Sequence, residues 1–165
     1  MKTFLTCCLA ALLGFGLLAA RPAQAKQHLL LGSSIVGGSY YVLGGTYAKY
    51  INDTYPDLDV SVEVGGGPYS NITLLSNGEI DLGFATTWAT GEMYDGINDQ
   101  KKKHEDIRAF LPLFPSYLQI YSLAESPIKN MEDIQGKIAS SGAAGSSGRI
   151  ATQTLFDILG IKPAK

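Results

Sequence analysis

The sequence predicts an α/β fold with a parallel sheet, and three observations carry that reading. Short apolar runs suited to buried strands recur along the chain. Each of the first two is followed by a Gly-rich loop and then by residues at helical spacing. The order strand, loop, helix occurs twice before a third strand, and alternation of this kind implies parallel strands joined by right-handed crossovers.

The elements follow in order. His28 to Ser34 (HLLLGSS) reads as a buried parallel strand, and the loop Ile35–Ser39 leads into a helix over Tyr40 to Asp53. In that helix Leu43, Tyr47, Tyr50 and Ile51 fall at helical spacing, and Pro56 stops it. Leu58 to Val64 (LDVSVEV) alternates as a half-buried strand and runs into Gly65-Gly66-Gly67-Pro68. Ser70 to Ser76 forms the second helix, with Ile72 and Leu75 on one face and Gly78 just past its end. Ile80 to Ala85 (IDLGFA) is the third strand, and Thr87 to Tyr94 another short helix. Ile107 to Tyr121 is apolar but broken by Pro112 and Pro115, so a strand is expected only over Tyr117 to Ser122. Pro127 to Gly136 reads as a turn and short helix, Lys137 to Ser140 as a strand, and Ser141 to Ser147 as a small-residue loop. Ile150 to Leu159 closes the series as a helix with Leu155, Ile158 and Leu159 for its buried face and Gly160 as its C-cap.

Residues 1–25 read as a secretory signal peptide. Lys2 supplies the positive end, Phe4 to Ala20 the apolar stretch, and Ala23-Gln24-Ala25 the small-residue cleavage site. The two cysteines, Cys7 and Cys8, fall inside it, so the 140 residues from Lys26 onward contain no thiol. That excludes a disulfide-stapled scaffold, a thiolate metal site and a cysteine nucleophile in the mature part. Without Lys2 and Arg21, 11 basic residues stand against 15 acidic ones, a balance of −4. Such a balance argues against nucleic acid as a partner. The run Lys101-Lys102-Lys103-His104, followed by Glu105-Asp106, reads as a solvated loop.

In open parallel sheets ligands sit beyond the carboxyl ends of the strands, where helix N-termini offer free N–H groups. Four clusters of small, polar residues fall there: Ser33-Ser34 with Gly37-Gly38-Ser39; Gly65–Gly67 with Tyr69-Ser70-Asn71; Thr86-Thr87-Trp88; and Ser140–Gly142 with Gly145-Ser146-Ser147. A cleft built from them favours a carboxylate or another anion. Tyr41 and Trp88 are each either a wall of that cleft or part of the core. Arg149, in the first turn of its helix, is either a counter-ion for an anion or an ordinary exposed arginine; Arg108 is a surface or pairing residue. No GxGxxG or Gly-Lys-Ser/Thr loop has the right context, and neither HExxH nor GxSxG occurs. His28 and His104 have no acid or nucleophile partner legible in the sequence. No catalytic residue, metal ligand or cofactor is therefore expected, and a serine hydrolase would lack its base.

Leu31 to Ala48 (LGSSIVGGSYYVLGGTYA), Val62 to Gly78 (VEVGGGPYSNITLLSNG), Glu79 to Ala85 (EIDLGFA) and Ile128 to Ile161 together resemble the TAXI-type solute receptors of tripartite ATP-independent periplasmic (TRAP) transporters. This resemblance implies a periplasmic-binding-protein-like (type II, Venus-flytrap) α/β fold with two lobes. The first lobe would span 26–121, and the second, begun at 122–165, would be incomplete in this chain. It also implies a periplasmic receptor for a small carboxylate-containing solute, an organic acid or amino acid that is glutamate-like or a dicarboxylate. A membrane permease of the TRAP type would be its protein partner. The family's ligand contacts carry over to Ser34, Gly38, Ser39, Tyr41, Ser70, Asn71, Thr87, Trp88, Gly145, Ser146 and Ser147, and Arg149 joins them from the helix-dipole argument. Two departures stand out. Pro68-Tyr69-Ser70 replaces a Ser-Val-Glu-like stretch, and Thr86-Thr87-Trp88 a Gln-Ser-Asp-like triplet. The missing acidic residue implies a solute without an amine. Such receptors are considerably longer than this chain, so weak or absent solute binding is expected of residues 26–165 alone. The alternative reading is a secreted protein without a transport role, or a non-functional fragment, acting in adhesion or structure.

Overall fold

The first strand of the sheet is also its centre. The computed structural model describes residues 25–97 and 101–164. The signal-peptide expectation therefore falls, apart from Ala25, outside the described residues. β1 (Gln27–Gly32) pairs in parallel with β2 (Leu58–Glu63), from Gln27↔Leu58 to Gly32↔Glu63, and on its other side with β3 (Leu82–Gly83), at Leu31↔Leu82 and Gly32↔Gly83. The sheet order is β2-β1-β3. The α-helices among the described residues are α1 (Ser39–Thr54), α2 (Pro68–Ser76), α3 (Thr87–Asp95) and α4 (Ser147–Leu159). The expected parallel α/β architecture is present, in an arrangement consistent with a periplasmic-binding-protein-like organisation.

Among the described residues three apolar clusters hold it. Leu31, Ala48 and Val60 are buried between α1 and the sheet, with Tyr47, Ile51, Val62 and Phe84 packed against them. Gly44 lets α1 approach: a Cβ there would sit 3.2 Å from both Ser33 and Val62. The Asn52 side chain meets the outer edge of β2, accepting from Val60 N at 2.7 Å and donating to Val60 O at 3.0 Å, so the edge strand offers less free backbone. On the other side, Ile72, Ala89, Met93 and Ile107 join α2 to α3. The third cluster, Ile134, Phe156 and Ile161, has Ile128, Met131 and Ala139 around it and shares no residue with the other two.

Helix ends follow local chemistry. Thr86 and Ser146 are N-caps whose hydroxyls accept from Ala89 N and Arg149 N. Gly96 and Gly160 close α3 and α4 at φ 73° and 68°, a backbone region favourable to glycine.

Several expectations are corrected. The third strand shortens from Ile80–Ala85 to Leu82–Gly83 because the Asp81 carboxylate, not a strand carbonyl, accepts from Leu30 N (2.8 Å). No strand forms over Tyr117–Ser122: Tyr117 and Tyr121 stand exposed, and the segment joins no sheet among the described residues. Lys137–Ser140 is not a strand either. Its start is instead tied to the chain end by Gly136 N→Lys162 O (2.9 Å) and Ala164 N→Lys137 O (2.8 Å). The expected helix before it is one 3-10 turn, Glu132–Ile134. There the Asp133 carboxylate accepts from Lys129 N and Asn130 N while Asn130 accepts from Asp133 N, a reciprocal cap that favours a tight turn. In α4 the buried face is Thr152 and Phe156; Ile158 and Leu159 are exposed, because the face is set by the contact of Phe156 with Ile134 and Ile161.

The basic run is only partly solvated. Lys101 to Lys103 are exposed, but His104 is buried: its N–H donates to Met93 O (2.9 Å), and its Nδ1 lies 2.8 Å from Ser76 Oγ. It pins the loop against α2 and α3. Arg108, expected as a surface or pairing residue, turns its guanidinium onto the Glu105 and Ile107 carbonyls.

Candidate binding pocket

The starts of α1, α2 and α4 meet at one cavity of about 200 Å³. Its wall comprises Ser34, Ile35 and Gly38–Tyr40 from the first loop and α1, Gly66–Pro68 ahead of α2, Phe114 and Ser116, and Ser146–Gly148 at the head of α4. Five serines contribute hydroxyls, and among the described residues no side chain that carries a full charge at neutral pH lines it. The first N–H groups of a helix have no acceptor within it, so three convergent helix starts bring donors and the positive ends of their dipoles to one place.

Local sequence explains how the wall forms. Gly38, the N-cap of α1, has no side chain to cap with, and Ser34 Oγ substitutes by accepting from Tyr41 N at 3.2 Å. A Cβ on Gly38 would lie 2.4 Å from that hydroxyl, so a side chain there would displace the Ser34 cap. α2 begins at Pro68, whose missing N–H costs nothing at a helix start.

The aromatic side of the pocket is Tyr40. Its ring stacks on Phe84 (centroids 5.2 Å apart) and meets Phe114 at a tilt (6.5 Å). Its hydroxyl donates to Ala85 O at 3.4 Å. Burial raises its pKa above the ordinary 10.0. The folded chain thus keeps that proton where the unfolded chain releases it. Burial penalises the ionised form, so the folded chain keeps its full stability below pH 10.0 and loses part of it as pH rises through the folded-state value. Tyr40→Phe is expected to flatten the fall of the thermal midpoint above pH 10, read by circular dichroism against the wild type; equal slopes would contradict it.

Of the residues singled out from sequence, Ser34, Gly38, Ser39, Ser146 and Ser147 come together in this wall. Gly145 adjoins it through its contact with Gly66 and Gly67. Ser70 lies behind Gly66, its Cβ 3.2 Å from where a Gly66 side chain would be. Asn71 is buried beneath the loops, its amide donating to Ser33 O, Phe84 O and Gly32 O. Tyr41 faces away, beside Val42, Gly45, Val62 and Val64. Thr87, Trp88 and Arg149 are not among the lining residues; Arg149 is exposed and forms no ion pair among the described residues. Sequence reasoning missed Tyr40, Phe114 and Ser116. Tyr40 had a signal, the neighbouring Tyr41, but Phe114 and Ser116 sit in an irregular proline-broken stretch with none.

Fold and pocket together define an α/β protein with a glycine- and serine-walled cavity. Among the described residues no group of three or more His, Cys, Asp or Glu could hold a metal ion, and no helix is long and apolar enough to cross a membrane. A match to the NMT1-like family covers residues 31–165, and the chain belongs to that family.

Proposed function

We propose that this chain is a non-catalytic solute receptor of the TAXI type, acting outside the cytoplasm and handing its solute to a TRAP permease. Family membership supports a solute-binding role. The observation that carries the reading is the pocket itself: three helix starts and five serine hydroxyls converge on about 200 Å³ with no charged side chain among the described lining residues. That chemistry suits a small organic acid or amino acid held by its carboxylate, the charge being met by N–H and O–H donors. In this reading residues 26–121 form one lobe and 122–165 belong to a second. Residues 1–25 direct export to the periplasm and are cleaved after Ala25.

Among the described residues the lining offers no carboxylate to an ammonium group, and a buried unpaired charge is costly. Among glutamate-like and dicarboxylate candidates, 2-oxoglutarate and succinate are therefore expected to bind more tightly than glutamate in a calorimetric titration of the chain. Tighter binding of glutamate would overturn the amine-free solute.

A further inference from the structure

We propose that Gly67 and Gly145 are positioning residues of the pocket, a glycine-on-glycine stop that sets how closely the α4 side of the wall approaches the α2 side. The functional meaning of this stop rests on the reading of the pocket as a solute site. Its geometry does not. A Cβ on Gly67 would lie 2.7 Å from the Gly145 carbonyl oxygen, and a Cβ on Gly145 would lie 2.6 Å from the Gly66 carbonyl oxygen. Both distances fall below what real Cβ atoms tolerate, and both obstacles are backbone, which cannot swing aside as a side chain can. The exclusion is therefore reciprocal, one glycine on each loop.

No backbone hydrogen bond joins the two loops among the described residues; the bonds they make run within their own segments, Asn71 N→Gly67 O and Ser146 N→Ala143 O. Contact without a bond across it limits approach without forbidding separation. The consequence for the wall is direct, because Gly66–Pro68 and Ser146–Gly148 face the same cavity immediately beside the contact. An added methyl must reach 3.4 Å for ordinary contact, so the loops part by about 0.7 Å from the 2.7 Å that Gly67 allows. A ligand bonded across the pocket at about 2.9 Å would then sit near 3.6 Å on one side, which is no longer a hydrogen bond.

Positive φ alone would strain any substituted glycine, and the fold supplies its own control. Gly37 lies in the first loop at φ 85°, close to the φ values of 98° and 76° at Gly67 and Gly145, yet nothing stands within 4 Å of where its Cβ would be. Gly37→Ala thus carries strain without contact; Gly67→Ala and Gly145→Ala carry both.

The test uses the full chain with Cys7 and Cys8 replaced by serine and Ser147→Cys as the reporter, so that one thiol lies on the pocket wall. Its alkylation by N-ethylmaleimide is timed in that background and with each glycine variant added, well below each thermal midpoint. Overpacking a close contact is expected to speed alkylation about tenfold in Gly67→Ala and Gly145→Ala, with Gly37→Ala within about twofold of the background. Rates in the two contact variants that match Gly37→Ala would overturn the proposal, and one variant on each loop keeps the decision open if the other fails to fold. In parallel, the affinity for 2-oxoglutarate is expected to fall about tenfold in the contact variants only, since a hydrogen bond from one wall is lost. If the acid binds none of the proteins, the alkylation rates alone decide the glycine contact.

Discussion

Asn71→Ala is expected to lower the unfolding free energy by about 3 kcal/mol, one of the two largest single effects the structure predicts. The Asn71 side chain is 1% exposed and donates to Ser33 O at 2.8 Å, Phe84 O at 2.9 Å and Gly32 O at 3.2 Å. Those carbonyls belong to the end of β1, the residue after it and the residue after β3, so one amide from α2 ties the ends of two strands together. Truncation to alanine leaves the carbonyls without that donor and opens a void beside them. Ser33 is itself fully buried, and water cannot readily take the place of the amide. A loss of this size shifts the thermal midpoint of a domain this large by roughly 10 °C. Guanidinium unfolding checks it: the midpoint concentration should fall with little change in slope. Asn71→Asp should be at least as damaging, since it turns an acceptor toward acceptors and buries a charge. Retention of wild-type stability by either variant would show that these bonds contribute little.

Phe156→Ala is expected to cost about 3–4 kcal/mol, by removing most of a buried ring and leaving a cavity that the surroundings fill only in part. Phe156 is 4% exposed, and its neighbours Ile134 and Ile161 are 5% and 8% exposed. Because this cluster shares no residue with those around the sheet, the damage should be local. Hydrogen exchange should show faster amide exchange across 128–139 and 156–161 while the β1 and β2 amides keep their protection. Equal loss of protection at Leu31 and Val60 would mean that the cluster and the sheet unfold as one unit.

The parts of the fold legible in the sequence are those fixed by local chemistry. The alternation of strand, glycine loop and helix through residues 27–54 and 58–76 needs only periodicity and turn residues, and its boundaries fall within two residues of those expected. Gly160 is recognisable as a C-cap because only the local backbone decides it. Strands are different. Tyr117–Ser122 has the composition of a strand, but a strand exists only where another offers its backbone, and composition cannot show that. Among site residues the difficulty is angular. Tyr40 and Tyr41 are adjacent on α1, and a helix turns them to different faces; only the seating of α1 on the sheet sends Tyr40 to the cavity and Tyr41 away. His104 was hidden by its company. Three exposed lysines before it and two acidic residues after it mask a buried anchor whose partners, Ser76 and Met93, lie in two other elements.

The central place of β1 bears on the order in which the chain acquires structure as it is made. A ribosome delivers this strand before either neighbour. Its first partner, β2, is complete only at Glu63, and its second only when Gly83 emerges. The link from Leu30 to Asp81 alone spans 51 positions. Before Glu63 the most apolar strand of the sheet has both edges open, and from there to Gly83 it still has one, and closing such distant pairings is slow compared with forming a helix. The emerging nascent chain therefore passes through an interval in which Leu29–Leu31 is synthesised but unsheltered, and that interval ends only after the third strand has appeared.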